Sequence, residues 1–133
     1  MLNKNSTVAV IGAGPAGTST VGCLLEKGFN NIHWIDPRFE GGELEMFESI
    51  QANVIAMYFS TFANLLKVFS KHAGSPEETA DVFDHEKTRE LCNLDEARLC
   101  LLRMTNIIRK YHSKEVTQVK DIVKEVIERI DCL

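Results

Sequence analysis

Apolar and polar positions change rhythm several times along the chain, and each rhythm predicts an element. Thr7-Val8-Ala9-Val10-Ile11 is β-branched and apolar, then stops abruptly at glycine. A near-continuous apolar run of this kind predicts a strand buried on both faces, as in a parallel sheet. Pro15 follows, a residue whose fixed φ suits the first position of a helix and whose missing N–H costs nothing there. Ala16, Thr20, Cys23, Leu24 and Lys27 step around one face of that helix, and Gly28 ends it. Asn31-Ile32-His33-Trp34-Ile35 predicts a second strand, closed by Asp36-Pro37. Strand, helix and strand within about 30 residues form a βαβ unit, whose crossover is expected to be right-handed.

Beyond Gly41-Gly42 the rhythm turns helical. A long apolar helix is predicted from about Asn53 to His72, ended by Ala73-Gly74. Ser75-Pro76-Glu77-Glu78 carries a helix-start signature: a capping Ser, Pro at the first position and Glu three residues after the cap. The most regular pattern spans residues 94–112, where Ala97, Leu101, Met104, Ile108 and Tyr111 share one stripe. Asn93 is placed to cap it with Glu96 reaching back, and Arg109, Lys110 and His112 suit its negative end. The tail reads two ways. Val119, Ile122, Val123, Val126, Ile127 and Ile130 have helical spacing over residues 119–131, whereas Val116-Thr117-Gln118-Val119 alone reads as a strand. The whole is an α/β chain, a Rossmann-like βαβ unit with a short parallel sheet and a helical carboxy-terminal half. By length, residues 1–133 are expected to form a single domain.

Composition removes several classes of function. With 44% apolar residues the chain has material for a packed core. Fifteen Lys and Arg against nineteen Asp and Glu give a formal charge of −4, so neither a generally basic nucleic-acid binder nor a polybasic membrane anchor is expected. Residues 77–96 hold eight acids and residues 98–124 seven Lys and Arg, which reads as two solvated faces near each other. The window Val54 to Phe69 is interrupted by Ser60, Thr61, Asn64 and Lys67 and falls short of the ~20 residues a membrane span needs. Cys23, Cys92, Cys100 and Cys132 include no CxxC pair and the four histidines no HExxH. No metal site is therefore expected, and scattered thiols with no visible secretion signal fit a reducing cytoplasm, each Cys a small apolar filler.

Candidate chemistry concentrates in Gly12-Ala13-Gly14-Pro15-Ala16-Gly17. The motif follows a predicted strand, opens a predicted helix, and has an acid at the end of the next strand. Gly12 permits the tight turn, Gly14 lets a pyrophosphate approach the backbone, and Gly17 lets helix and sheet pack closely. The N–H groups at the helix start form an anion site. Asp36, nineteen positions after Gly17, is placed to accept hydrogen bonds from both ribose hydroxyls. It would repel a 2′-phosphate, which Arg38 partly offsets. The other candidates read as structure. His33 is a strand residue, and His85 beside Asp84 is solvated. Glu43, Glu45 and Glu48 form an exposed face, and Met57, Tyr58, Phe59, Phe62, Leu65, Leu66 and Phe69 belong to the core or to a surface meant for another domain.

The run Val8-Ala9-Val10-Ile11-Gly12-Ala13-Gly14-Pro15-Ala16-Gly17 resembles the amino-terminal FAD-binding segment of flavoproteins with two dinucleotide-binding domains. These include flavin-containing monooxygenases, disulfide-reductase relatives and many FAD/NAD(P)-binding oxidoreductases. Pro15 after the second glycine is typical of them. Gly41-Gly42-Glu43-Leu44 resembles their second short signature, a Gly-Gly pair near the flavin, and Gln51-Ala52-Asn53 resembles a Ser-Asn-Thr-like turn of one branch through Asn53 alone. The resemblance covers roughly residues 6–53. It implies FAD, or alternatively NAD(P), held by Gly12, Ala13, Gly14, Pro15, Ala16, Gly17, Asp36, Pro37, Arg38, Gly41 and Gly42. It also implies that Glu115 to Val119 is a third strand, which would make the tail after it strand as well. Such flavoproteins usually carry a second glycine motif for NAD(P)H and a carboxy-terminal Gly-Asp segment, and neither occurs here. The chain is therefore expected to be the amino-terminal part of a flavin-dependent oxidoreductase, without turnover of its own, that self-associates or needs a partner domain. A non-catalytic nucleotide-binding regulatory module and a vestigial interaction module are the alternatives.

Overall fold

The computed structural model describes residues 2–42, 61–72, 94–121 and 130 of the chain. Its core is a sheet of three parallel strands, β1 (Val8–Ile11), β2 (Ile32–Ile35) and β3 (Val116–Val119), in the order β1-β2-β3. Among the described residues it is accompanied by α1 (Pro15–Glu26), α2 (Lys67–Ser70) and α3 (Leu94–Tyr111), with residues 61–65 also helical. The predicted βαβ unit is present, and the resemblance-based third strand is realised as β3. Ile130 is helical, while residues 122–129, the rest of the ambiguous tail, lie outside the described residues.

Register divides the sheet into two unlike faces. Val8 pairs with Ile32 and Ile32 with Val116, while Val10 pairs with Trp34 and Trp34 with Gln118. Side chains of paired residues point to the same side. Ile32 and Trp34 are fully buried on this side, with Val10 and Val116 nearly so. The other side carries Ala9, Ile11, His33, Ile35, Thr117 and Val119. Ala9 and Thr117 are exposed there and Ile11 is 72% exposed, whereas Ile35 of the central strand is buried and His33 and Val119 are half-buried. The expectation that the first strand is buried on both faces is thus corrected. α1 and α3 contact each other as well as the sheet, so both lie on the same side of it. Right-handed crossovers in a 1-2-3 strand order put every connecting helix on one face.

α1 begins at Pro15 and ends in a Schellman motif: Gly28 N–H donates to Leu25 O at 2.9 Å and Phe29 N–H to Leu24 O at 3.0 Å. Its packed residues are Thr18, Val21, Gly22 and Leu25. The face read from the sequence is the outer one: Ala16, Thr20 and Lys27 are exposed, Cys23 and Leu24 half-buried. In α3, Leu101, Met104 and Ile108 are buried as the stripe predicts, and Cys100, Thr105 and Ile107 widen it. Burial pushes the Cys100 thiol up to about 12, as befits a packed and inert side chain.

The single helix expected over 53–72 is not continuous. Residues 61–65 are helical, Leu66 is extended at φ −97° and ψ 124°, and α2 starts after it. The break turns Phe69 into the core, where its ring meets α1 at Gly22. The helix start at Ser75–Glu78, the cap at Asn93, and the candidates Glu43, Glu45, Glu48, Met57, Tyr58, Phe59 and His85 lie outside the described residues. Among the described residues no helix is long and apolar enough to cross a membrane, and no three His, Cys, Asp or Glu side chains are grouped to hold a metal ion.

Candidate functional site

The candidate site lies at the carboxyl ends of β1 and β2, the edge at which parallel α/β sheets present their loops to ligands. β1 passes into the glycine loop at Gly12, whose N–H donates to Ile35 O at 2.7 Å. Gly12 adopts φ +104°, a conformation that side-chain-bearing residues rarely take. A Cβ there would meet nothing within 4 Å, so the space beside it is open. Three residues into α1, Gly17 does the opposite. A Cβ on it would sit 1.9 Å from the Gly12 carbonyl oxygen. The first helical turn therefore rests directly on the loop, and only a bare α-carbon permits it.

Gly14 is the N-cap of α1, at φ −81°, and no side chain caps the helix. Pro15 has no N–H, and the first turn contains no acid. The N–H groups that a helix start cannot satisfy internally, together with the positive end of its dipole, therefore receive no cap or acid from the helix's own first turn, and the nearby Asp36 carboxylate bonds Ala13, the residue before the N-cap. Thr18 ties the loop down from within: its hydroxyl donates to Ala13 O at 3.2 Å and its N–H to Gly14 O at 3.0 Å. Ala13 and Thr18 are fully buried, Gly14, Pro15 and Gly17 half-buried, and Ala16 exposed.

Asp36 joins the loop to the turn that follows β2. Its Oδ2 accepts the Ala13 N–H at 2.9 Å, and its Oδ1 accepts those of Arg38 at 2.9 Å and Phe39 at 2.7 Å. Partial burial works to raise this carboxyl. The N–H groups of Phe39, Arg38 and Ala13 and the Arg38 charge outweigh it and hold the group below its ordinary 3.8. A carboxylate offers about four lone-pair positions. Three are occupied here by backbone N–H groups of the chain itself. Pro37 and Arg38 are exposed on the turn.

Gly41 and Gly42 close over this arrangement at φ +84° and +71°. A Cβ on Gly42 would lie 2.7 Å from the Gly14 α-carbon, so the Gly-Gly turn and the glycine loop are in backbone contact. The structure thus brings the glycine loop, Asp36 and Gly41-Gly42 together, while Glu43-Leu44 and Gln51-Ala52-Asn53 lie outside the described residues. It also adds residues the sequence did not single out for this role. Trp34 Nε1 donates to Gly12 O at 2.8 Å, and its ring packs edge-on against Phe39 at 5.0 Å between centroids. Arg98, from α3, donates through Nε to Glu40 O at 2.7 Å and lies 3.5 Å from Gly42 O through a terminal nitrogen. Trp34 falls on the core side of β2 by simple alternation. Arg98 is 56 residues from Gly42 and nothing local pairs them.

The open space at Gly12 and the helix start without a side-chain cap suit a phosphate-bearing group, while Gly17 serves the packing of helix on loop.

Over 68 residues, 50% of its length, the chain is 36% identical to Monooxygenase AgnR1 of Paecilomyces divaricatus, and the match spans 17% of that protein. No family model and no solved structure matches the chain.

Proposed function

We propose that the chain binds FAD, with NAD(P) as the alternative, and forms the amino-terminal nucleotide-binding part of a flavin-dependent oxidoreductase. The observation that carries the reading is the contact of Gly17 with the Gly12 carbonyl, which draws an uncapped helix start against an open loop. In this reading the N–H groups of the first turn of α1 receive the pyrophosphate, and Asp36 accepts one hydroxyl of the adenosine ribose. Pro37 and Arg38 flank the ribose, and Gly41-Gly42 cover the phosphates. The similarity to a monooxygenase supports an oxidoreductase context. When bound, a flavin accepts a hydride and passes its electrons to oxygen or another acceptor. These residues bind and orient it.

A second reading, a vestigial interaction module, is favoured by one feature. Asp36 accepts the Ala13 N–H and Gly42 packs on Gly14, so contacts within the chain account for part of the loop's form.

Titration of the purified chain with FAD, NADH and ADP separates the two, and a yellow protein as isolated favours FAD. Gly14→Ala is the informative variant. The backbone at Gly14 suits alanine, and a Cβ would have 3.6 Å to its nearest neighbour, so the fold tolerates it. The methyl group would stand against Gly42 and the Gly41 carbonyl, the backbone that covers the phosphates in this reading, and would press that cover away from the loop. Binding should fall by about tenfold or more with the melting temperature unchanged. Equal affinity in parent and variant would remove the glycine loop as the site.

A further inference from the structure

We infer that Arg98 is a positioning residue for the nucleotide site, the part of α3 that fixes the Gly41–Gly42 turn against the glycine loop and sets a permanent positive charge on it. The charge role rests on the nucleotide-binding reading above, whereas the positioning role stands on geometry alone.

The turn that carries the Gly-Gly pair is costly to hold. Phe39, Gly41 and Gly42 all have positive φ, at +56°, +84° and +71°. Glycines at such positions lose more freedom on folding than any other residue, so something must select this conformation. Asp36 does so at the front of the turn through the Arg38 and Phe39 N–H groups. Arg98 does so at the back. Its Nε donates to Glu40 O at 2.7 Å and its terminal nitrogen approaches Gly42 O, so one planar guanidinium spans the two carbonyls that bracket Gly41. Its stem is packed as closely: a Cβ on Gly41 would lie 3.0 Å from Arg98 Cγ.

Position gives this clamp a consequence for binding. Gly42 touches Gly14, so the guanidinium sits one residue away from the helix start that would receive a diphosphate. The ionised Asp36 carboxylate is bonded to the same loop at Ala13 and opposes an anion there. α1 contributes no basic residue in its last turn and no acid in its first. A guanidinium stays charged at every relevant pH and presents its donors in a fixed fork, which a lysine cannot reproduce. Arg98 therefore supplies both the shape of the cover over Gly14 and a charge of the right sign.

The test uses the full chain with Arg98→Gln and Arg98→Lys, and two readouts. Without ligand, amide hydrogen exchange at Arg38 and Phe39, the turn's N–H groups bonded to Asp36, should quicken by about tenfold or more in both variants, while Ile32 to Ile35 keep their protection. Unchanged exchange at these two amides overturns the positioning role. Should Arg98→Gln lose its fold, Arg98→Lys, which retains stem and charge, carries this readout. With ADP and adenosine as probes, Arg98→Gln should weaken ADP by about tenfold and adenosine by less than about twofold, and Arg98→Lys should recover part of the ADP affinity. Equal losses for both probes, or none, overturn the charge role. A parent chain that binds neither probe overturns that role together with the nucleotide reading, and the exchange result still decides the clamp.

Discussion

Gly14 and Gly17 lie three positions apart in one turn and should answer the same substitution differently. Alanine at Gly14 meets ordinary contacts, whereas at Gly17 it drives a methyl group into the Gly12 carbonyl oxygen. Overpacking of this kind costs about 1–3 kcal/mol, and because the obstacle is backbone the upper end applies. Chemical denaturation followed through the sole tryptophan, fully buried Trp34, would measure it. A loss under about 1 kcal/mol would mean that the loop yields. Asp36 answers to pH instead. Its folded-state value lies below 3.8, so the native state favours the charged form. The contribution is complete above the unfolded value and is lost as pH falls from there through the lowered one. Asp36→Asn should lower stability by about 1.5 kcal/mol, the low end for hydrogen bonds to a charged group, because the side chain is partly exposed. It should also flatten the parent's decline in stability below about pH 4. A variant with the same acid limb as the parent would show that Asp36 does not drive it. At this scale the sequence was legible wherever chemistry is local. Gly12, Gly14, Gly17 and Asp36 are found together because strand, turn and helix follow one another directly. That three backbone donors would use most of the carboxylate could not be read, since they depend on the fold of the turn at Arg38–Phe39.

Elements were legible in proportion to how far local pattern governs them. α1 follows from Pro15 and Gly28 though its buried face does not, β2 from its apolar run and the Asp36-Pro37 stop, and α3 from its periodicity, whereas β3 was visible only as one of two readings, because four residues of Val-Thr-Gln-Val suit a strand while the following valines and isoleucines suit a helix. The break at Leu66 had no local warning: neither Gly nor Pro stands near it. Its cause is tertiary, since Phe69 must reach the core beside Gly22. That pair gives a test. A Cβ on Gly22 would lie 2.6 and 2.8 Å from two ring carbons of Phe69 and 3.4 Å from Leu66 Cδ1. Alanine in a helix interior ordinarily gains about 0.5–1 kcal/mol over glycine. Here the clash should reverse the sign, so that Gly22→Ala destabilises by about 1–2 kcal/mol. In the Phe69→Leu background the same change should cost less, with a coupling of at least about 0.5 kcal/mol in the double-mutant cycle. Additive effects would show that α1 and α2 do not meet through this pair. α2 is also held at its other end, where His72 stacks on Tyr111 at 3.7 Å between ring centroids and His112 Nε2 lies 3.2 Å from Val68 O.

For the molecule as a whole, strand order decides how much of the sheet is covered. An apolar run such as Val8-Ala9-Val10-Ile11 predicts a strand with two buried faces, yet with β1, β2 and β3 in consecutive order the two described helices that contact the sheet share one side, and on the other side the edge strand β1 is exposed while Ile35 of β2 is buried. The composition of a strand reports what it is suited to bury, whereas topology determines what lies over it. Ile11 and Val10, adjacent in sequence, therefore occupy opposite environments: 72% and 8% exposed. Threonine is a sound probe at both sites because it keeps the β-branch and a strand-compatible shape. Val10→Thr places a hydroxyl among apolar side chains and should cost about 1–3 kcal/mol. Ile11→Thr, on the open side, should change stability by no more than about 0.5 kcal/mol. The same variant should lower the fluorescence of a hydrophobic dye bound to the native chain, because Ile11 is the most exposed large apolar residue of the three strands. Comparable losses at the two positions, with dye binding unaltered at Ile11, would mean that the second face is covered in solution. In that case the one-sided sheet, and the account of why the first strand departs from its own sequence pattern, would both have to be given up.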